Sequence, residues 1–103
     1  MPARYGRGIV ELRHLKYFQA IANDAGFSRA ATRLRVAQPA LSRQIRALEK
    51  ELGTDLLVRT AKGVVPTRAG EVLLRGAGEI LGRWRKVFSA LSERVADGPG
   101  SAG

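Results

Sequence analysis

No cysteine occurs in the 103 residues. The chain therefore builds no disulfide framework, no thiolate metal site and no cysteine nucleophile. A single histidine, His14, leaves no room for a multi-histidine metal site or a histidine-based triad, and it reads as a surface or capping residue. No apolar run approaches the ~20 residues needed to cross a bilayer. The start, MPARYGRGIVELRHLKYF, has basic residues without the apolar stretch of a signal peptide. These absences place the protein in the cytoplasm, with no membrane partner. Carboxylates are scarce too, at nine Asp+Glu. None of them has a companion nucleophile, phosphate-cradling loop or metal partner, so neither enzyme activity nor a cofactor is expected. Glu49 and Glu51, on either side of Lys50, read as structural.

Positive charge is what the chain has in abundance. Eighteen Lys+Arg give a formal net charge of +9, and 14 of these cations are arginine. The planar guanidinium fork suits phosphates and guanine edges. A small basic chain reads first as a nucleic-acid binder, then as a binder of anionic membranes or acidic proteins. The length fits one domain, with a modest core burying about 60–65% of the unfolded surface. An apolar content of 45% is enough for a globular fold.

Residues 1–10 carry Gly and Arg without periodicity and read as a flexible arm. Residues 11–68 carry dense helical patterning and then a β-like piece. Residues 69–96 read as one long helix, and 97–103, DGPGSAG, as a flexible tail. The first helix is expected over about 13–22, with Leu15, Phe18, Ile21 and Ala22 on one face, and Asp24 and Gly26 breaking it. The second starts at Ser28 as N-cap and reaches Leu34, turning Ala30, Ala31 and Leu34 inward. After the turn Arg35-Val36-Ala37, the third opens on Gln38-Pro39, carries Leu41, Ile45, Leu48 and Leu52, and ends at Gly53. Two β-prone stretches, 56–59 and 64–66, flank Ala61-Lys62-Gly63 as a minimal hairpin. Thr67 can cap a fourth helix. Three helices and a basic-tipped hairpin, followed by a long helix, make a mainly α winged helix-turn-helix.

The helix-turn-helix is a stereochemical pattern, opening near Phe27 and closing near Arg46. Ala31 is the small residue where the second helix meets the third, and Leu34, Val36, Leu41 and Ile45 brace the turn. The third helix then offers Gln38, Pro39, Ala40, Ser42 and Arg43 to a major groove that admits one helix. Gln can pair with adenine, Arg with guanine and Ser with either.

ELRHLKYFQAIA, FSRAATRLRVAQPALSRQIRALEKELGTDLLVRT and PTRAGE together resemble the N-terminal DNA-binding domain of a LysR-type transcriptional regulator, over about residues 10–96. The resemblance implies bacterial transcription regulation by binding an interrupted dyad in double-stranded DNA as a dimer. It implies that Gln38, Pro39, Ser42 and Arg43 reach bases or nearby phosphates, with Ala40 where a thymine methyl would lie. It further implies that Arg59 and Lys62 belong to a wing whose tip enters the minor groove, and that Arg29 and Thr67 contact phosphate. Arg33, Arg46 and Lys50 are weaker candidates, since a helical charge run is commonly just solvated.

Some positions depart from the family pattern. The chain stops at Gly103, where members continue into a sensing domain, so a fragment or truncated product is expected, with no small-molecule effector of its own. Ala37 stands where many members have a capping Ser, at a cost of about 1 kcal/mol to the third helix. Arg35 stands in a turn that favours a left-handed residue such as Gly. Val10 stands where a family chain tends to start with Met, which suggests that residues 1–9 are an extension from a GTG start.

In the long helix Leu74, Ala77, Leu81, Trp84, Phe88, Leu91 and Val95 are spaced 3, 4, 3, 4, 3, 4. This heptad seam is roughly 32 Å long, more than one small domain can cover. It predicts a partner helix, most simply a second copy; Trp84 and Phe88 could also pack on the first helix. Gly70, Gly76, Gly78 and Gly82 each weaken the helix by up to about 1 kcal/mol. Sequence-specific duplex binding as a homodimer is therefore the leading function. The alternatives are a truncated interaction module that pairs with full-length relatives through this helix, and binding to nucleic acid or anionic membrane by charge alone.

Overall fold

Apolar residues at helical spacing over most of the chain, and a short stretch of β-branched residues between glycines, set up four helices and one hairpin. The computed structural model describes the backbone of residues 11–102 and the side chains of residues 11–95. The expected arm at 1–10 lies outside the described residues. The order is α1 (Leu12–Asp24), α2 (Phe27–Leu34), α3 (Gln38–Leu52), β1 (Leu57–Thr60), β2 (Gly63–Pro66) and α4 (Arg68–Ala102). This is the winged helix-turn-helix with a long C-terminal helix.

Helix α1 runs two residues beyond 22 because the chain reverses at Ala25, not at Asp24 or Gly26. Ala25 adopts the left-handed conformation (φ 56°, ψ 31°). Its carbonyl accepts a 3.1 Å hydrogen bond from the Val64 amide, which ties this turn to the wing. Asp24 is held by Arg33 at 3.1 Å. His14 is buried rather than on the surface. It does act as a cap, its Nδ1 accepting the Glu11 amide at 2.9 Å.

Ser28 is not the N-cap of α2. Phe27 is already helical and Gly26 occupies the cap position with no side-chain bond. The Ser28 hydroxyl instead donates to Gln38 Oε1 at 2.9 Å, across to the start of α3. A cap needs extended backbone at the hydroxyl residue, and here the chain is extended two residues too early, at Gly26. The turn into α3 does use a left-handed Arg35 (φ 60°, ψ 45°), and its strain is offset by amide bonds from Arg35 to Thr32 and from Val36 to Ala31. Ala37 caps α3 without a side-chain bond, Pro39 sits in its first turn, and Gly53 ends it in the left-handed region.

The wing pairs antiparallel, with Leu57 opposite Pro66 and Thr60 opposite Gly63. The first strand is shifted by one residue from the expected hairpin, with Leu56 dropping into the core, and the second is one residue longer, with Gly63 joining β2. Neither Ala61 nor Lys62 has a positive φ, so the turn is not of the primed type usual for two-residue hairpins. Gly63 absorbs the difference at φ 122°. A Cβ there would stand 2.6 Å from the Ala25 carbonyl oxygen, which only glycine avoids.

The core joins α1, α2, α3 and the wing through Phe18, Ile21, Ala30, Leu41, Ile45, Leu48, Leu56 and Val64. A smaller cluster of Leu15, Ala77 and Leu81 fastens α4 to α1. Thr67 caps α4 as expected, its Oγ1 accepting the Gly70 amide at 3.0 Å. Gly70 is required for a second reason: a Cβ would run into the Leu56 carbonyl. Helix α4 continues past residue 96 to Ala102, where a flexible tail was expected. Extending an existing helix avoids the cost of nucleation, so the glycines and Pro99, which itself adds no N–H bond, do not end it.

Candidate nucleic-acid interface

Helix α3 divides cleanly. Leu41, Ile45 and Leu48 point into the core. On the other side Gln38, Pro39 and Arg43 are exposed, and Ala40 and Ser42 half-buried. The core contacts therefore fix the helix while its N-terminal polar residues face outward. Gln44, on the flank, accepts a 2.7 Å hydrogen bond from His14 Nε2. Because Nδ1 of that ring already accepts the Glu11 amide, Nε2 carries the proton. The ring thus braces α3 against α1.

The wing stands beside this face. The Arg59 guanidinium lies 5.4 Å from the centre of the Phe27 ring, a cation–π contact from β1 to the first residue of α2. Lys62 is exposed at the tip, where the Thr60 hydroxyl accepts its amide at 3.1 Å. A concave surface of about 450 Å³ between the start of α2 and the wing gathers Arg29, Gln38, Arg59 and Lys62. A narrower cleft of about 160 Å³ between α3 and β1 is lined by Ser42, Arg46, Glu49 and Arg59.

Five of the nine DNA-contact residues suggested by the sequence, Arg29, Gln38, Ser42, Arg59 and Lys62, line these two hollows on one side of the molecule. Pro39, Ala40 and Arg43 line neither hollow; they occupy the adjoining strip of α3. Thr67 stands apart. Its hydroxyl proton is already donated to the Asp55 carbonyl at 2.7 Å and its amide to Leu56 at 2.9 Å. Among the described residues the ion pairs are Arg13–Glu11 and Arg33–Asp24. Arg29, Arg43, Arg59 and Lys62 enter neither, so no described residue neutralises their charge in an ion pair. Arg33 pairs with Asp24 and lines a separate hollow beside α1 and α4, away from this face.

Sequence reasoning missed Phe27 and Ala25 as supports of the wing. An aromatic residue at a helix start gives no local signal of a guanidinium 32 positions later. It did mark Glu49 as structural, and that residue accepts two amide bonds from the wing entrance.

The helical seam separates into two halves. Ala77 and Leu81 are buried against Leu15, and Leu74 packs on the main core. Those three are covered by the chain's own α1 and hairpin, so they are not a free pairing surface. Trp84, Phe88, Leu91 and Val95 are exposed, and Trp84 does not become core against α1. Trp84 and Phe88 stack with ring centres 6.0 Å apart. Val72, Ile80 and Val87 are exposed as well. The sequence reading missed them because Ile80 and Val87 sit one position before Leu81 and Phe88, and Val72 lies ahead of the seam's first residue; a helix of 3.6 residues per turn drifts off strict 3,4 spacing. Among the described residues no helix is long and apolar enough to cross a membrane, and no group of three or more metal-ligating side chains comes together.

Comparison with known proteins matches residues 12–71 to the family described as bacterial regulatory helix-turn-helix protein, lysR family. An uncharacterized HTH-type transcriptional regulator of Escherichia coli, YnfL, is 50% identical over 72 residues, covering 70% of this chain and 24% of its own. The HTH-type transcriptional regulator TfdT of Cupriavidus pinatubonensis is likewise 50% identical over 72 residues, covering 70% of this chain and 32% of its own. The chain thus spans about a quarter to a third of the length of these curated relatives. Among solved structures, the BenM DNA-binding domain in complex with catB site 1 DNA is 42% identical, with a TM-score of 0.79 over 86% of this chain and 99% of that one. The CbnR DNA-binding domain in complex with DNA is 41% identical, with a TM-score of 0.73 over 84% of this chain and 98% of that one.

Proposed function

The chain belongs to the lysR family of bacterial regulatory helix-turn-helix proteins, and on that premise we propose that it binds double-stranded DNA in a sequence-selective way to regulate transcription. The observation that carries this reading is the coincidence of the outward face of α3 with the cations Arg29, Arg59 and Lys62 beside it, which no described residue neutralises in an ion pair. The first turns of α3 enter a major groove, whose width of about 12 Å admits one helix. Gln38, Ser42 and Arg43 read base edges there, and Pro39 and Ala40 make the apolar contacts, Ala40 to a thymine methyl. Lys62, with Arg59 behind it, enters the flanking minor groove. Arg29 anchors a phosphate at the start of α2. Thr67 contributes through its position at the start of α4, its hydroxyl being engaged internally. The relatives and neighbours named above are regulators and DNA-binding domains, and the reading assigns no catalytic step, cofactor or small-molecule effector to this chain. The cytoplasm, where the DNA lies, is its proposed location.

The exposed stripe from Ile80 to Val95 supports pairing through α4. A second copy makes a homodimer that reads an interrupted dyad; a full-length relative makes a mixed dimer, the second reading this stripe favours. Selection of bound duplexes from a random-sequence pool at physiological salt tests both function and pairing. Enrichment of an interrupted palindrome is expected. Enrichment of a single half-site would remove the homodimer, and binding without enrichment would leave attraction by charge alone, which falls steeply with salt.

A further inference from the structure

Besides apolar packing through Leu56 and Val64, the wing entrance is hydrogen-bonded to the recognition helix by one carboxylate. Glu49 lies on α3, seven residues after Ser42 and so on the same side of the helix. Its Oε2 accepts the amides of Leu56 at 2.8 Å and Leu57 at 3.2 Å. These amides belong to the chain just before and at the first residue of β1. At this end of the ladder the Thr67 amide donates to the Leu56 carbonyl at 2.9 Å, so Leu57 and Pro66 form a pair that exchanges no hydrogen bonds. The Leu56 and Leu57 amides are left for the carboxylate. Glu49 also lines the cleft between α3 and β1 together with Ser42, Arg46 and Arg59. An anion this close to a DNA-facing surface would repel phosphate if it merely pointed to solvent; here it is turned inward and used twice.

We propose that Glu49 is a positioning residue: it sets the wing at a fixed place relative to α3, and so determines where Arg59 and Lys62 meet the DNA flanking the bases that α3 reads. This inference rests on the DNA-binding reading above and deepens it. The carboxylate does not touch DNA; it acts through the main chain of residues 56 and 57. Two charge-assisted bonds to one oxygen hold that segment more stiffly than two neutral ones. The helix that reads bases and the strand that carries the minor-groove cation thereby move as one piece.

The test uses the full chain and two duplexes with the same selected half-sites, one with A·T-rich and one with G·C-rich flanks, because only the wing meets the flank. Fluorescence anisotropy measures affinity for each. Glu49→Gln keeps a carbonyl oxygen in place to accept both amides and is expected to retain the flank preference. Glu49→Ala, and Glu49→Asp, which is one methylene too short to reach both, are expected to lose about tenfold on the preferred flank and little on the other. In the Glu49→Ala background Lys62→Ala should cost almost nothing further, a non-additivity that marks two residues acting through one element. Equal losses on both flanks, or a Lys62→Ala effect of the same size in both backgrounds, would overturn the proposal. Should Glu49→Ala fail to fold, Glu49→Asp carries the same comparison. Amide exchange of Leu56 and Leu57 in the free protein is expected to speed up in Glu49→Asp and not in Glu49→Gln, and unchanged exchange in Glu49→Asp would overturn the strut itself. A wild-type chain that prefers no duplex would instead defeat the DNA-binding reading, and the exchange measurement distinguishes the two failures.

Discussion

The imidazole of His14 and the side-chain amide of Gln44 meet at 2.7 Å across 30 positions of sequence. With its other nitrogen on the Glu11 amide, the ring is saturated and buried. Removing it leaves the Glu11 amide and Gln44 short of a partner. His14→Ala is expected to lower stability by about 2 kcal/mol, and Gln44→Ala by less. Urea denaturation of both single variants and the double should give a total below the sum of the singles, since the two residues share one bond.

Arg43 and Lys62 should separate by their effect on sequence choice. Arg43→Ala is expected to weaken binding by about 1–3 kcal/mol and to relax one base position. Lys62→Ala should weaken all sequences that share a flank and lower the slope of log affinity against log salt by about 1. Titrations at several salt concentrations on a small panel of single-base variants check both.

The glycines of α4 should split the same way. Gly70→Ala drives a methyl into the Leu56 carbonyl and is expected to cost more than about 2 kcal/mol. Gly76→Ala and Gly82→Ala meet nothing within 4 Å and should each add roughly 0.5–1 kcal/mol by raising helix propensity. Thermal unfolding of the three variants gives opposite signs.

The only tryptophan, Trp84, lies on the exposed stripe beside Phe88. Its emission should shift to shorter wavelength as protein concentration rises and the pair forms. Trp84→Glu is expected to leave the fold intact, because the side chain is about half exposed, and to yield a monomer by sedimentation at concentrations where the parent pairs.

Much of this molecule could be read from local pattern. The apolar spacing of Leu41, Ile45 and Leu48, the left-handed Arg35, the cap at Thr67 and the end at Gly53 all depend on neighbours within a turn or two. They stand in the structure as the sequence implied. The misplacements have one cause in common. Ser28, Ala25, Gly63 and Gly70 take their conformations from distant atoms: Gln38, Val64, Ala25 and Leu56 respectively. A hydroxyl that fits a cap in isolation was drawn to another helix, and a glycine that seemed only to weaken a helix was there to admit a carbonyl. For the same reason the seam was half right. Spacing marks which residues share a face, but not that α1 has already covered the first three of them.

Consider finally how α4 leaves the wing. Thr67 grips Asp55 and Leu56, and Gly70 presses on Leu56, so the junction offers no joint about which the helix could swing. Its 35 residues form an arm of about 50 Å. In the proposed pair each reading head is bolted to such an arm, and the crossing angle of the two arms becomes a ruler. At a radius of roughly 30 Å, a rotation of about 6° carries a head through one base-pair step, taken as about 3.4 Å. Operator spacing is then an angle written into the packing of Ile80, Trp84, Val87 and Leu91, and a change of one side chain there would retune which dyads the pair can span without altering a single base contact.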